Sequence, residues 1–183
     1  MIPTRLSALR NEMEKRNIAI YIVPTADFHE SEYVGEYFTA RRYMTGFTGS
    51  AGVAVITLKE AGLWTDARYF IQAANQLEGT TVTLYKMGEE GVPTIDEYIE
   101  ATLGEGETIG FDGRVVNSAW GKKLEEIVEK KNGKLAVEED LVDIIWTDRP
   151  ARKCNEAFAL DEKICGKTVA EKLDMVREAM AKD

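Results

Sequence analysis

The sequence predicts an α/β fold in which a mixed β-sheet is flanked by helices. An amphipathic helical segment is followed at once by a short apolar strand, and this alternation continues to about residue 146. Two strand-like segments, 52–58 and 62–65, are separated by a short polar connection and predict a hairpin, so the sheet is not purely parallel. The apolar fraction of 44% and the charged fraction of 30% are typical of an ordinary soluble globular protein.

The chain opens with a helix and a strand. Apolar side chains recur at helical spacing over residues 3–17, with charged residues between them, which predicts an amphipathic helix. Residues 18–23 are apolar and largely β-branched, so they predict a buried strand that stops at Pro24. Residues 29–44 mix polar and aromatic side chains and predict a short helix with irregular structure around it.

Helices and strands alternate again after the hairpin. Thr94 is placed to cap a helix over residues 94–103, and Glu97 completes a capping box with it. The other predicted elements are a helix at 67–77 that ends near Gly79, strands at 81–86, 108–112 and 134–137, a helix at 118–131, and an apolar stretch at 141–146 that ends the domain.

The predicted domain organisation is a first domain at 1–146, a linker at 147–165 and the first helix of a second domain at 166–183. The linker opens with proline, charged and small residues and has no apolar period. The last helix repeats the first without gaps, since Leu173 falls on Leu6, Arg177 on Arg10, Met180 on Met13 and Lys182 on Lys15. A lone amphipathic helix cannot bury its stripe, so we expect a truncated second copy of the fold; chance similarity of two amphipathic helices is the alternative.

Charge and cysteine content exclude several classes of function. The net charge is −9, from 23 basic and 32 acidic residues, which argues against nucleic acid or an anionic membrane as a partner. Cys154 and Cys165 lack CxxC spacing and a companion histidine, so we interpret them as reduced thiols and not as a zinc site. No segment resembles a signal peptide or a membrane span, and we expect a cytoplasmic protein.

Candidate functional residues are concentrated in residues 41–70. Gly46, Gly49 and Gly52 surround Ser50 and lead directly into the hairpin. The segment lacks the Walker lysine and the GxGxxG spacing of phosphate-binding loops. We therefore interpret it as a tight turn that enters a strand, where glycine allows close backbone approach.

Asp66 and Arg68 form a second candidate group. Asp66 is placed to cap the following helix, and the planar fork of Arg68 suits a carboxylate or a peptide carbonyl. Residue chemistry leaves two alternatives open: contact with a ligand, or an internal salt-bridge network that orders the hairpin and includes Arg41 or Arg42.

His29 is the only histidine, which excludes a multi-histidine metal site, and its neighbours suggest no Ser-His-Asp arrangement. It follows a strand end, where loops often carry function. We favour a loop histidine whose ring caps nearby backbone; contact with substrate or a partner subunit is the alternative. No catalytic residue and no metal ligand is predicted in this chain.

Blocks that span nearly all of the chain match one family. They are Ser31-Glu32-Tyr33, Arg41-Arg42, Gly46-Phe47 with Gly49-Ser50-Ala51-Gly52, Leu63-Trp64-Thr65-Asp66, Arg68-Tyr69-Phe70-Ile71-Gln72-Ala73-Ala74, Leu141-Val142-Asp143 and Ile145-Trp146-Thr147-Asp148-Arg149-Pro150. With these blocks the chain resembles the cytosolic Xaa-Pro aminopeptidases (aminopeptidase P) of the creatinase-like metallopeptidases. The resemblance implies a creatinase N-terminal-like domain at 1–146 and a second domain of the same fold after it.

The resemblance also implies a function. The family removes the N-terminal residue from peptides with proline at the second position, using two divalent metals, usually manganese, in a C-terminal catalytic domain. This chain departs from that pattern, because it has one histidine and no such ligand set. It is therefore expected to be a non-catalytic N-terminal domain that binds no cofactor, is inactive alone and contributes to a homodimer. The family assigns peptide contact to the position of Arg68, which favours ligand contact over the network, and His29 is a further candidate for substrate contact. Ala67 stands where relatives often have glycine.

Two alternatives to the peptidase interpretation follow from the same fold. The first is a stand-alone, non-enzymatic module that binds peptides or proteins. The second is creatinase-type amidinohydrolysis, which the block Trp146-Thr147-Asp148-Arg149-Pro150 makes less favoured. The peptidase interpretation predicts a gene that continues past Asp183 into metal-ligand motifs.

Overall fold

The computed structural model describes residues 1–182, and the predicted last helix therefore ends one position outside the described residues, at Asp183. The chain divides into two compact units. The first unit is Met1–Arg152, and the second begins at Lys153.

The first unit contains the elements that the sequence predicts, in the same order. They are α1 (Ile2–Lys15), β1 (Ile18–Pro24), a 3-10 turn (Glu36–Phe38), α2 (Ala40–Thr45), β2 (Val53–Thr57), β3 (Ala61–Thr65), a second 3-10 turn (Ala67–Tyr69), α3 (Phe70–Leu77), β4 (Thr83–Lys86), α4 (Ile95–Thr102), β5 (Thr108–Phe111), α5 (Ser118–Lys130), β6 (Lys134–Ala136) and α6 (Leu141–Ile145). The capping box of Thr94 and Glu97 is present at the start of α4. The predicted α/β class with a mixed sheet is confirmed.

The six strands form one sheet in the order β4-β3-β2-β1-β5-β6. The pairs β1/β2 and β2/β3 are antiparallel, and the other three neighbouring pairs are parallel. Only β2 therefore runs against the rest. The carboxyl ends of the other five strands meet at one end of the sheet, together with the start of β2. In α/β sheets, the carboxyl ends of parallel strands are where ligands commonly bind.

Helices bury both faces of the sheet. Along β1, Tyr21 and Val23 face one core and Ile20 and Ile22 face the other, as the two-residue period of a strand requires. The first core is completed by side chains of α1, α2, α3 and α6, namely Leu6, Leu9, Met13, Met44, Ala73, Leu77, Leu141 and Val142. The second is completed by α4 and α5 and the residue after α4, namely Ile99, Leu103, Leu124, Ile127 and Val128. Each fully buried side chain of this size stabilises the fold by about 1.5 to 3 kcal/mol.

The first unit extends beyond the boundary predicted at Trp146. Arg149 lies within it, and the exposed fraction of its side chain is 7% because it bonds with residues of the unit. The second unit has two helices, α7 (Glu162–Cys165), which lies within the predicted linker, and α8 (Val169–Met180). The predicted stripe of α8 is exposed at all four positions, Val169, Leu173, Val176 and Met180. None of the helices in residues 1–182 is long and apolar enough to cross a membrane.

Candidate functional site

Loops at the carboxyl end of the sheet hold most of the candidate residues, and glycines shape the first of them. Gly46 ends α2 in the left-handed conformation, with φ 78°. Gly52 has φ 156°, and a Cβ there would lie 2.9 Å from the backbone oxygen of Trp64. Only glycine fits this position without displacing β3. The interpretation of residues 46–52 as a tight turn that enters a strand is confirmed.

Arg41 is buried and stabilises this turn through hydrogen bonds. Its Nε donates to Thr25 Oγ1 at 2.9 Å, Nη1 donates to the Phe47 carbonyl oxygen at 2.6 Å, and Nη2 donates to the Gly49 carbonyl oxygen. The guanidinium also lies over the ring of Phe47, 4.7 Å from its centroid. The salt bridge of Asp66 and Arg68 does not extend to Arg41 or Arg42, because Arg41 donates to the 46–52 turn and Arg42 makes no ion pair within residues 1–182.

The electrostatic surroundings of Arg41 are unusual for a buried cation. Within the described part of the chain, no carboxylate lies within 4.0 Å of its guanidinium, and its three acceptors are neutral. Burial lowers the pKa of Arg41 to about 10, since desolvation disfavours the charged form. Buried charges in proteins are normally paired with an opposite charge. The charge of Arg41 is therefore not neutralised by a carboxylate of the described residues.

Asp66 and Arg68 lie beside this turn and form an exposed ion pair. Asp66 Oδ1 accepts from the Arg68 backbone N–H at 3.1 Å, so the predicted cap is confirmed, on a 3-10 turn. The Arg68 side chain donates back in a bidentate manner, with Nε to Oδ1 at 2.8 Å and Nη2 to Oδ2 at 2.9 Å. The hydrogen bonds with Arg68 lower the pKa of Asp66, and those with Asp66 raise the pKa of Arg68.

The Arg68 side chain is 71% exposed. Its only ion-pair partner in residues 1–182 is Asp66, two positions away, so the pair does not tie the hairpin to other elements. A guanidinium has five N–H donors. The bidentate pair uses two of them and leaves the rest directed toward solvent, where an acceptor of a ligand can reach them.

Hydroxyl and amide side chains link the 46–52 turn to the second 3-10 turn and to α3. Ser50 Oγ lies 2.7 Å from Tyr69 Oη, and this hydrogen bond lowers the pKa of Tyr69. Thr48 Oγ1 accepts from Gln72 Nε2 at 2.9 Å and from Gln76 Nε2 at 2.8 Å. The turn, Arg68 and α3 are therefore held together as one surface.

A pocket of about 180 Å³ opens between the turn, α2 and the loop after β1. It is lined by Thr25, Glu32, Tyr33, Val34, Phe38, Thr39, Arg41, Arg42, Thr48, Gly49 and Ser50. Tyr69, the residue that follows Arg68, bonds with the lining residue Ser50 at 2.7 Å, so the 3-10 turn that carries Arg68 adjoins the pocket. The pocket joins residues from three separate parts of the sequence.

His29 lies on the surface, outside this pocket. Its backbone N–H donates to Asp27 Oδ1 at 2.9 Å, and the backbone N–H of Ser31 donates to the same oxygen at 2.9 Å. The carboxylate of Asp27 therefore caps this loop. The imidazole forms no hydrogen bond to any of residues 1–182, so the interpretation that the ring caps backbone is wrong. The structure does not bring His29 into contact with Arg68.

Asp112 and Arg114 repeat the geometry of Asp66 and Arg68 at the end of β5. The Arg114 backbone N–H and Nε donate to Asp112 Oδ1 at 3.0 and 2.9 Å, and Nη2 donates to Oδ2 at 3.0 Å. Asp112 is buried, in contrast to Asp66. The sequence contains a signal for both ion pairs: an Asp-x-Arg triplet follows directly after a strand at 66–68 and again at 112–114.

Arg149 forms a buried ion-pair cluster near this second triplet. Its Nη1 donates to Asp140 Oδ2 at 2.6 Å and to Asp143 Oδ1 at 2.9 Å, and Nε donates to the Tyr37 carbonyl oxygen at 2.8 Å. Burial is the largest single influence and acts to lower the pKa of Arg149, but the hydrogen bonds and charges of Asp140, Tyr37 and Asp143 together outweigh it and raise the pKa. Sequence reasoning assigned Arg149 to a linker because charge and proline surround it. No group of three or more His, Cys, Asp or Glu side chains in residues 1–182 is arranged to hold a metal ion.

Comparison with known proteins gives a family match and full-length relatives. The Creatinase/Prolidase N-terminal domain family matches residues 5–150. A probable Xaa-Pro aminopeptidase P of Pyrenophora teres f. teres is 42% identical over 180 residues, which cover 97% of this chain and 27% of the relative. The corresponding protein of Neurospora crassa is 42% identical over 181 residues, which cover 97% of this chain and 26% of the relative. The chain thus spans about a quarter of the length of these curated relatives.

Solved structures give the same result. The crystal structure of the X-prolyl aminopeptidase from Caenorhabditis elegans, a cytosolic enzyme with a di-nuclear active site, is 31% identical with a TM-score of 0.87. The match covers 100% of this chain and 31% of that enzyme. The N-terminal domain of the cytoplasmic peptidase PepQ from Mycobacterium tuberculosis is 25% identical with a TM-score of 0.55, covering 78% of this chain and 98% of that domain.

Proposed function

The chain belongs to the creatinase/prolidase N-terminal domain family, and we propose that it is the non-catalytic N-terminal part of an Xaa-Pro aminopeptidase. The likeness to the C. elegans enzyme carries this proposal, because it extends over the whole of this chain and not only over the residues that the family matches. The single histidine and the lack of a metal-ligand cluster within residues 1–182 also suit a part that leaves the chemistry to another domain.

The whole enzyme would release the N-terminal residue from peptides whose second residue is proline. Two divalent ions, which we expect to be manganese, would supply Lewis-acid chemistry in the catalytic domain. The donor set of this chain does not fit such a centre, so its residues would act on the peptide and not on the metals. We further propose a cytosolic homodimer, which rests on the family resemblance and on the cytosolic C. elegans relative.

Arg68 would contact the bound peptide. Its guanidinium is exposed, is held in one orientation by the two hydrogen bonds that it donates to Asp66, and still has free donors. Because the carboxylate of Asp66 already neutralises its charge, the fork suits a neutral acceptor such as a peptide carbonyl. A pre-oriented donor loses little side-chain entropy when it binds, which favours a contact of this kind.

The proposal is tested on the longest polypeptide that the gene encodes. We expect the reading frame to continue past Asp183 into Asp, His and Glu metal ligands, and a stop codon directly after it would contradict the proposal. In that polypeptide, Arg68→Ala should lower kcat/KM for an Xaa-Pro peptide by about tenfold, the effect of one charged hydrogen bond. Arg114→Ala removes the matching Asp-x-Arg arginine outside the pocket and should leave kcat/KM nearly unchanged.

A further inference from the structure

We propose that the pocket beneath the 46–52 turn is a carboxylate-binding site, and that the carboxylate it takes is the C-terminal group of a short peptide. The proposal rests on the arrangement of Arg41 and Arg42 around this pocket of about 180 Å³. Its peptide part rests on the proposed function. Its carboxylate part rests on the structure of this chain alone.

The first step is the unpaired charge of Arg41. The residue is 4% exposed, lines the pocket and has no carboxylate within 4.0 Å among residues 1–182. The other largely buried arginine of the first unit, Arg149, is paired with Asp140 and Asp143. A buried cation without a counterion is costly, and an anion in the adjacent space would reduce that cost.

The second step is the supply of donors. The guanidinium of Arg41 has five N–H donors, and Thr25, Phe47 and Gly49 accept from three of them. The two that remain lie one on each terminal nitrogen, Nη1 and Nη2, and are available to an acceptor such as a carboxylate oxygen. The Ser50 hydroxyl lines the same pocket and adds a further donor or acceptor.

The third step is the charge around the pocket. Arg42 lines it as well, is exposed, and its side chain makes no hydrogen bond or ion pair within the described residues. Glu32 also lines the pocket and sets a limit on the charge of the ligand, because it repels a doubly charged anion such as phosphate more than a singly charged carboxylate. A monoanion between two arginines is the ligand that this balance favours.

The fourth step links the pocket to peptides. Tyr69, the residue that follows Arg68, bonds with the lining residue Ser50, so the backbone that carries Arg68 adjoins the pocket wall. A peptide whose backbone carbonyl meets Arg68 can therefore reach the pocket with its C-terminal end within a few residues. The apolar part of the lining, Val34, Phe38 and the ring of Tyr33, suits the last side chain of such a peptide.

The experiment uses the 183-residue chain and follows its backbone amides by nuclear magnetic resonance. The tripeptide Ala-Pro-Gly is titrated with a free C-terminal carboxylate and, separately, as its C-terminal amide, at constant ionic strength. We expect the acid to shift the amides of Thr25, Phe47, Gly49 and Ser50 in a saturable way, and the amide form to bind about tenfold more weakly, the effect of a lost charged hydrogen bond. Equal binding of acid and amide, or no saturable shift at these residues, would overturn the proposal.

Variants test which of the two arginines binds the carboxylate. Arg42→Gln leaves the turn intact, because Arg42 braces nothing among residues 1–182, and it should weaken binding of the acid severalfold. Arg41→Lys keeps the charge but loses the fork, and it should weaken binding further; its folding is checked from the same spectra. Lys123→Gln removes one positive charge from α5, outside the pocket, and should change nothing. If Lys123→Gln weakens binding as much as Arg42→Gln does, the effect is general electrostatics and the proposal fails.

Acetate separates the two sources of the carboxylate. If acetate and the tripeptide acid both shift the four amides, the site takes carboxylates and accepts them on a peptide. If acetate binds and the tripeptide acid does not, the peptide part is overturned and the carboxylate part stands. Because no turnover is measured, a failure here leaves the proposed role in an aminopeptidase to its own test.

Discussion

At the scale of single residues, the arginines of this domain differ in two properties: whether they form an ion pair with a carboxylate, and whether they are exposed to solvent. Arg68 is paired and exposed, Arg149 is paired and buried, and Arg41 is buried without a carboxylate partner in the described chain. The sequence predicted the Asp66 cap from local spacing. It could not predict the different burial of the three arginines, because that depends on contacts far along the chain.

Removal of Arg149 should destabilise the first unit strongly. In Arg149→Ala the buried carboxylate of Asp140 loses its partner at 2.6 Å and keeps only Arg114 Nη2 at 4.0 Å, and the loss of one partner of a buried pair costs about 3 to 5 kcal/mol. Urea unfolding followed by fluorescence measures the change in the free energy of unfolding. Arg68→Ala is the matched control, since its pair is exposed and should leave the midpoint nearly unchanged. Equal midpoints for the two variants would contradict the assignment of Arg149 to the folded unit.

Tyr98 should make the domain sensitive to alkali. Its burial, with the nearby charges of Tyr85 and Glu60, raises the pKa of Tyr98 to about 12, whereas an unfolded tyrosine ionises near about 10. The folded state thus keeps a proton that the unfolded state releases, so stability is complete below pH of about 10 and falls as the pH rises toward 12.

Unfolding measured across this alkaline range should show a shallower loss of stability in Tyr98→Phe. The loss will not vanish, because burial also raises the pKa of Tyr21. Tyr33→Phe, at a tyrosine that is 81% exposed, is the control and should keep the slope of the unchanged protein. A Tyr98→Phe variant with an unaltered slope would show that this tyrosine is not held neutral by the fold.

At the scale of elements, the sequence predicted the start of a helix where one side chain caps it, and a turn where a glycine is required. Thr94 starts α4 as expected, with Glu97 Oε2 2.8 Å from its backbone nitrogen. The same box starts α8, where Thr168 and Glu171 have the same 2.8 Å separation. The short helix α7 was not predicted, because a single turn has no apolar period for the sequence to reveal.

Loss of either cap should have effects confined to its own unit. Thr94→Ala removes two hydrogen bonds at the start of α4 and should lower the free energy of unfolding of the first unit by about 1 kcal/mol. Thr168→Ala should reduce the helix content of α8, measured by circular dichroism, and leave the unfolding midpoint of the first unit unchanged. A shift of that midpoint by Thr168→Ala would contradict the division into two units.

The 46–52 turn gives a second prediction for elements. Gly52→Ala places a Cβ 2.9 Å from the Trp64 carbonyl oxygen at a positive φ, so it should destabilise the unit by about 1 to 3 kcal/mol. Gly121 lies inside α5 with open space around it, and Gly121→Ala should be neutral or stabilising because alanine favours helix. Chemical denaturation measures the change in the free energy of unfolding, which should have opposite signs in the two variants. Equal destabilisation by both would contradict the need for glycine at position 52.

At the scale of the whole molecule, the order of elements and the fold class followed from periodicity. The strand order did not, because it depends on pairing between distant segments, and the pocket did not, because it depends on how residues 25–50 fold back on one another. The bond from Arg149 to the Tyr37 carbonyl, for example, joins residues that are 112 positions apart. Local patterns therefore placed the candidate residues on loops. Only the structure showed that Arg41, Arg42 and Ser50 share a pocket while His29 lies outside it.

We propose that this chain is the part of an aminopeptidase that leaves catalysis to another domain, and one measurement tests this proposal most directly. The purified 183-residue chain is incubated with an Xaa-Pro peptide and added manganese, and release of the N-terminal residue is followed. We predict no turnover above the uncatalysed rate. Release that grows with the concentration of this chain and is abolished by a chelator would contradict the account.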